Sequence, residues 1–165
     1  MLNERFRNLV ETMQMMVQVE KTVGDFYTAC SQSFPHSQGF WVHLAQEEYR
    51  HAEAIDRLAK AVAEWPGDFE PGKVSPIEAL QTCITRVTSS LAALKSGGLT
   101  EANALLQAHL IESTFAEHKY TEAIKTANPK YLNELEKLTA DEAGHKTSIL
   151  RRMRAGKANA QRLAS

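Results

Sequence analysis

The octapeptide Leu44-Ala45-Gln46-Glu47-Glu48-Tyr49-Arg50-His51 returns 94 residues later as Leu138-Thr139-Ala140-Asp141-Glu142-Ala143-Gly144-His145. Leu, Glu and His recur in the same places, and Glu47 is answered by Asp141. Upstream, Val19-Glu20-Lys21 and Ile111-Glu112-Ser113 are offset by 92 residues. Each half therefore carries an apolar residue followed by Glu and, 28 or 30 residues later, a Glu-x-x-His.

Apolar residues around these motifs step by three and four, the period of a helix with one buried face. The first seam reads Leu2, Phe6, Leu9, Met13, Met16, Glu20, Val23, Tyr27, Cys30. The second reads Phe40 or Trp41, Leu44, Glu48, His51, Ile55, Leu58, Val62. A later pair reads Leu105, His109, Glu112, Ala116, Ala123 and Leu135, Leu138, Glu142, His145, Ile149, Met153. Acids and imidazoles thus occupy places where core residues belong, and a buried charge is costly unless it is paired or bound to metal.

Residues three apart on a helix lie about 60° apart around its axis, so Glu48 with His51, and Glu142 with His145, project side by side. Each pair can grip one ion, and Glu20 and Glu112 from the other two helices are placed to bridge the two. Four carboxylates carry four negative charges, which two divalent cations balance. Oxygen and nitrogen donors without thiolate suit iron or manganese.

Breakers at Pro35, Pro66-Gly67, Pro71-Gly72, Pro76, Gly97-Gly98 and Pro129 divide the chain into five expected helices, at about 2–33, 37–65, 76–96, 100–127 and 129–156. Ser75-Pro76-Ile77-Glu78 predicts a capping box at the start of the third, and Asn128-Pro129 a start for the fifth. No segment shows a period of two. Four long helices joined by a long central connection predict an all-α antiparallel four-helix bundle, one domain over 1–165, whose crossover contains the additional helix. That helix alone has an unbroken apolar seam, Ile77, Leu80, Ile84, Val87, Leu91 and Leu94, and a homodimer is one way to cover it.

Composition narrows the function. Nineteen Lys plus Arg against 20 Asp plus Glu leave a net charge of −1, with no footprint for nucleic acid or an anionic membrane. The longest stretch without Asp, Glu, Lys or Arg, 26–46, contains Pro35 and two His and does not span a bilayer. The N-terminus has no apolar signal core, so a cytoplasmic location is expected. Cys30 and Cys83 are the only cysteines, too few for a zinc ribbon or a rubredoxin-type site. Cys30, on the first seam, reads as a buried thiol and neither cysteine as a redox residue; Met13, Met15 and Met16 read as core filler, and Arg151, Arg152, Arg154, Lys157 and Arg162 as a basic helix end. His36 and His118 read as exposed or near loops, and His43 lies off the face of Glu48.

A Glu on each of two helices with Glu-x-x-His on each of the other two resembles the ferritin-like di-iron carboxylate superfamily. The strings VEKTVGDFY, LAQEEYRHAE, IESTFAEHKY and LTADEAGHKT are similar to its rubrerythrin branch over about residues 2–155. The resemblance implies Glu20, Glu48, His51, Glu112, Glu142 and His145 as ligands of two iron ions, with manganese the alternative. It also marks Tyr27 as a residue behind the ligands. His109 stands where rubrerythrins carry a further glutamate, which makes it an additional ligand or a donor to one. The implied activity is reduction of hydrogen peroxide at a non-haem di-iron centre, or reaction with dioxygen. An external electron-donor protein is expected, since no rubredoxin-like domain is present. The competing expectations are a ferroxidase or iron-handling protein, a manganese catalase, and a non-enzymatic helical interaction domain.

Overall fold

A computed structural model describes residues 2–115 and 120–163. Among the described residues the chain is all-α apart from one minimal sheet. Its elements run α1 (Glu4–Ser33), α2 (Gln38–Glu64), β1 (Phe69–Pro71), α3 (Ile77–Lys95), α4 (Glu101–Phe115), α5 (Tyr120–Ala123), β2 (Ile124–Thr126) and α6 (Pro129–Leu163), with single 3-10 turns at Pro35–Ser37 and Pro66–Asp68. No helix among the described residues is long and apolar enough to cross a membrane.

Local chemistry sets most of the boundaries. Asn3 caps α1 by accepting from the Phe6 amide at 3.1 Å, and Pro35 follows its end. The Asn128 side chain accepts from Lys130 N at 3.2 Å at the start of α6, as the Asn-Pro pair predicts. The start of α3 lies one residue beyond the expected one. Pro76 has ψ 136°, outside the helical range, so it is the N-cap itself and makes no side-chain cap bond, and the helix begins one residue later.

The α1 and α2 helices are an antiparallel pair, α3 lies along α1, and α4 packs on α6, which also meets α2. The shared core includes Leu9, Val19, Phe26, Trp41, Leu44, Leu58, Leu135 and Ile149. The apolar stripe of α3 is covered within the same chain, with Leu80, Cys83, Val87 and Leu94 buried and Ile77, Ile84 and Leu91 half-buried. It therefore does not itself demand a partner subunit. The exposed large apolar residues lie elsewhere, at Trp65, Leu106, Leu110 and Leu132 among others.

The segment expected to form one helix over 100–127 leaves the helical path before its end, with Ile124–Thr126 in a strand. Helix α4 is described as far as Phe115, 116–119 lie outside the described residues (the seam's Ala116 and also His118), and α5 runs directly into β2. β2 pairs antiparallel with β1 in the register Phe69↔Thr126, Glu70↔Lys125, Pro71↔Ile124. Strands of three residues are too short to write an alternating pattern into a sequence.

This clasp ties the crossover to the residues that lead into α6. Gly72 continues it, donating to Ala123 O at 2.9 Å, while Lys73 donates to Glu122 O at 2.9 Å. A Cβ on Gly72 would sit 2.0 Å from the Glu122 carbonyl oxygen, a backbone atom that cannot swing aside. Gly72→Ala is therefore expected to cost about 1–3 kcal/mol through forced backbone displacement, read as a lower Tm in thermal unfolding with the helical circular dichroism retained. An unchanged Tm would show that the clasp adjusts freely.

Candidate metal centre

All six residues of the repeated motif come together in the interior. Glu20 comes from α1, Glu48 and His51 from α2, Glu112 from α4, and Glu142 and His145 from α6. Side chains of Glu20, Glu48, His51, Glu112 and His145 are 3–5% exposed, and Glu142 is half-buried. The helix spacing works as expected, since within α2 His51 Nδ1 lies 3.4 Å from Glu48 Oε2.

Glu48 occupies the middle. Its other oxygen, Oε1, is 2.9 Å from His145 Nδ1, and the two imidazoles stack with centroids 5.3 Å apart. Glu20 Oε2 approaches His51 Nδ1 to 3.8 Å, and Glu112 Oε1 approaches His145 Nδ1 to 3.8 Å. These proximities are not satisfied hydrogen bonds. Glu48 Oε1, Glu142 Oε1 and the Nδ1 atoms of both His51 and His145 are buried without a hydrogen-bond partner. Buried polar groups are ordinarily paired, so several orphaned donors and acceptors pointing at one place fit a bound cation. One ligand atom from each of Glu48, His51 and His145 lies within 4.8 Å of the other two, a tight nitrogen and oxygen set.

The distal face of each imidazole meets a carboxylate. His145 Nε2 is hydrogen-bonded to Glu47 Oε2 at 2.7 Å, and His51 Nε2 lies 3.5 Å from Asp141 Oδ2, too poorly aligned to bond. Glu47 is held in turn by Arg50 at 3.0 Å. A carboxylate behind Nε2 fixes the tautomer and turns Nδ1 inward. The two outer acids are exchanged between halves, since Glu47 of the first octapeptide backs the second histidine and Asp141 the first.

Two phenols complete the shell. Tyr27 donates its hydroxyl to Glu112 Oε1 at 2.6 Å, in keeping with the place that the resemblance implies for it. Tyr120 donates likewise to Glu20 Oε1. Sequence reading passes over Tyr120, Glu47 and Asp141 as participants, although the repeat carries the signal. Tyr27 follows Glu20 by seven residues, Tyr120 follows Glu112 by eight, and Glu47 and Asp141 occupy the same place in the octapeptide. His109 lies one turn before Glu112, half-buried, with Nδ1 buried and unbonded. It is not a member of the tight Glu48, His51, His145 group.

Crowding disturbs the ionisation of every member. Burial, then the charge of Glu48, pushes Glu20 well above the usual carboxylate range and Glu112 up to about 8. Burial also raises Glu142 to about 7, with His51 pulling the other way. Glu48 is the exception. Burial works to raise it, but the side chains of His145, His51 and Glu20 together outweigh that and hold it below the usual range. Burial would lower both histidines, yet Glu20 and Glu48 carry His51 up to about 11, and Glu48, followed by Glu112 and Glu47, carries His145 up to about 9. Burial and the neighbouring carboxylates keep Tyr27 and Tyr120 protonated, as hydrogen-bond donors. At neutral pH without metal, protons hold the charge balance that cations would otherwise supply.

Comparison with known proteins adds no assignment: no family model, curated protein or solved structure matches the chain.

Proposed function

We propose that the protein is a non-haem di-iron oxidoreductase of the ferritin-like, rubrerythrin-like kind that reduces hydrogen peroxide with electrons from an external donor. The observation that carries this reading is the convergence of four glutamates and two histidines, all buried but the half-buried Glu142, with unpaired oxygen and Nδ1 atoms. A mere structural core has no use for so many unmatched polar atoms.

In this reading Glu48 with His51 and Glu142 with His145 would hold two ions, with Glu20 and Glu112 as the further carboxylate ligands. Bound iron would supply the redox chemistry that peroxide reduction needs. Tyr27 and Tyr120 orient Glu112 and Glu20 through their hydroxyl hydrogen bonds. Glu47 keeps the His145 imidazole turned toward the ions through its hydrogen bond to Nε2, and the Asp141 carboxylate lies 3.5 Å behind His51. Burial of the set excludes bulk water and strengthens every charge interaction inside it.

The test is metal content followed by turnover. Protein loaded with Fe(II) without oxygen is expected to hold two irons per chain and to consume peroxide at about one equivalent per reduced centre. With a competent reductant supplied, consumption continues. Loaded protein that leaves peroxide untouched sinks the assignment. One ion per chain, at the tight Glu48, His51, His145 group, would replace the dinuclear reading with a mononuclear one.

A further inference from the structure

We propose that Tyr27 and Trp41 form a one-electron relay, leading an oxidising equivalent from the centre toward the end of the molecule where α1 turns into α2. This inference rests on the di-iron peroxide-reducing reading. Tyr27 is in contact with the centre through its 2.6 Å hydrogen bond to Glu112. Its ring lies 5.8 Å from that of Trp41, centroid to centroid, at a tilt of 39°. Both side chains are fully buried. Trp41 Nε1 donates to Ser37 Oγ at 3.1 Å, and the rings of Phe40 and Phe34 stand 5.0 and 6.4 Å from it. Phe40 is half-buried and carries the Arg152 guanidinium over its face at 5.0 Å.

An aromatic cluster by itself is good packing. The phenol at its inner end adds something that packing does not require, because a buried O–H aimed at a buried carboxylate lets a proton and an electron leave together. Tyr120 makes the matching bond to Glu20, but among the described residues it has no aromatic neighbour. The two halves are therefore alike at the ligands and unlike behind them.

Reduction of hydrogen peroxide to two waters takes two electrons and two protons. When the bound metals can supply only one electron, Tyr27 supplies the other. Its O–H bond breaks, the proton passes to Glu112 Oε1, and the electron goes to the peroxide. Trp41 then reduces the phenoxyl radical, and Tyr27 takes its proton back from Glu112. The net change is one electron lost by Trp41, with both consumed protons drawn from solvent. A soluble one-electron reductant such as ascorbate restores the indole.

Iron-loaded protein, reduced by half an equivalent of its full electron demand, is mixed with peroxide, freeze-quenched and read by electron paramagnetic resonance. A parallel sample is digested and its oxidised residues are mapped by mass spectrometry. Wild type is expected to give an indole radical, which dioxygen admitted to the parallel sample traps as oxygen addition at buried Trp41 and not at Trp65, which is 64% exposed. Trp41→Phe should leave a tyrosyl radical instead, Tyr27→Phe should lose the Trp41 signal and product, and ascorbate should suppress both. Oxidation at Trp65 or the methionines with Trp41 untouched overturns the relay, as does undiminished Trp41 oxidation in Tyr27→Phe. The wild-type map needs no variant to fold. Iron content and peroxide consumption are measured on the same sample, so a failed relay with both intact leaves the di-iron reading standing, whereas absent iron removes both.

Discussion

Glu48→Ala is expected to empty both metal positions at once, whereas Glu142→Ala empties only one. The reason is placement. One oxygen of Glu48 lies 3.4 Å from His51 Nδ1, and the other lies 2.9 Å from His145 Nδ1. Although the sequence pairs Glu48 with His51 alone, the fold puts it between the two imidazoles and beside Glu20. Removing it takes a ligand from one ion and a neighbouring charge from the other. Breaking such a buried charge set by deleting one partner costs about 3–5 kcal/mol, so a lowered Tm is expected as well. Glu48→Gln keeps the volume and removes the charge, and should lose metal with a smaller packing penalty. Metal analysis of folded protein, with circular dichroism as the check on folding, reads the result. Two ions per chain retained in Glu48→Gln would remove Glu48 from the centre.

The second large effect is on pH dependence. Glu112 is raised from 4.5 to about 8 and Glu142 from 4.5 to about 7, so between those values the folded protein binds protons that the unfolded chain has lost. The same holds for His145 from 6.5 to about 9 and His51 from 6.5 to about 11. A group whose folded value is raised stabilises below its unfolded value, and that contribution is lost as pH rises through the folded value. Metal-free protein should therefore lose stability steadily from pH 6.5 to 9. Glu48, shifted the other way, contributes stability above the usual carboxylate range and loses it only in acid. Bound ions replace the protons, so the loaded protein does not share this loss. The difference in Tm between loaded and metal-free protein is expected to widen across this window, and comparing the two cancels every group outside the site. A constant difference would mean that metal binding displaces no protons from these residues.

What could be read in the chain was whatever repeats or obeys a local rule. Glu20, Glu48, His51, Glu112, Glu142 and His145 interrupt apolar seams at matching places, and helix periodicity puts each on the inward face of its own helix. The Asn128 cap is equally local. What escaped reading depends on partners distant in sequence. Tyr120 reaches a carboxylate 100 residues away, Glu47 backs a histidine 98 residues away, and the β1–β2 clasp is too brief for periodicity to register. The stripe of α3 looked as if it needed an outside partner because no sequence rule says that α1 has a second apolar face. That face is real, since buried residues such as Thr12, Met13, Met16, Val19, Glu20 and Val23 surround more than one side of α1.

Those same separations govern when the centre assembles during folding. The α1–α2 pair needs only a short turn, whereas Tyr27 meets Glu112 across 85 residues and His145 meets Glu47 across 98. Loops of that length close late, after local pairs have formed. The second half's imidazole thus reaches Glu48 near the end of the folding path. A ligand absent from the transition state acts on the unfolding rate and leaves the folding rate nearly unchanged. Metal bound at this site would then act as a kinetic lock, fitted after the helices have docked and holding them from coming apart.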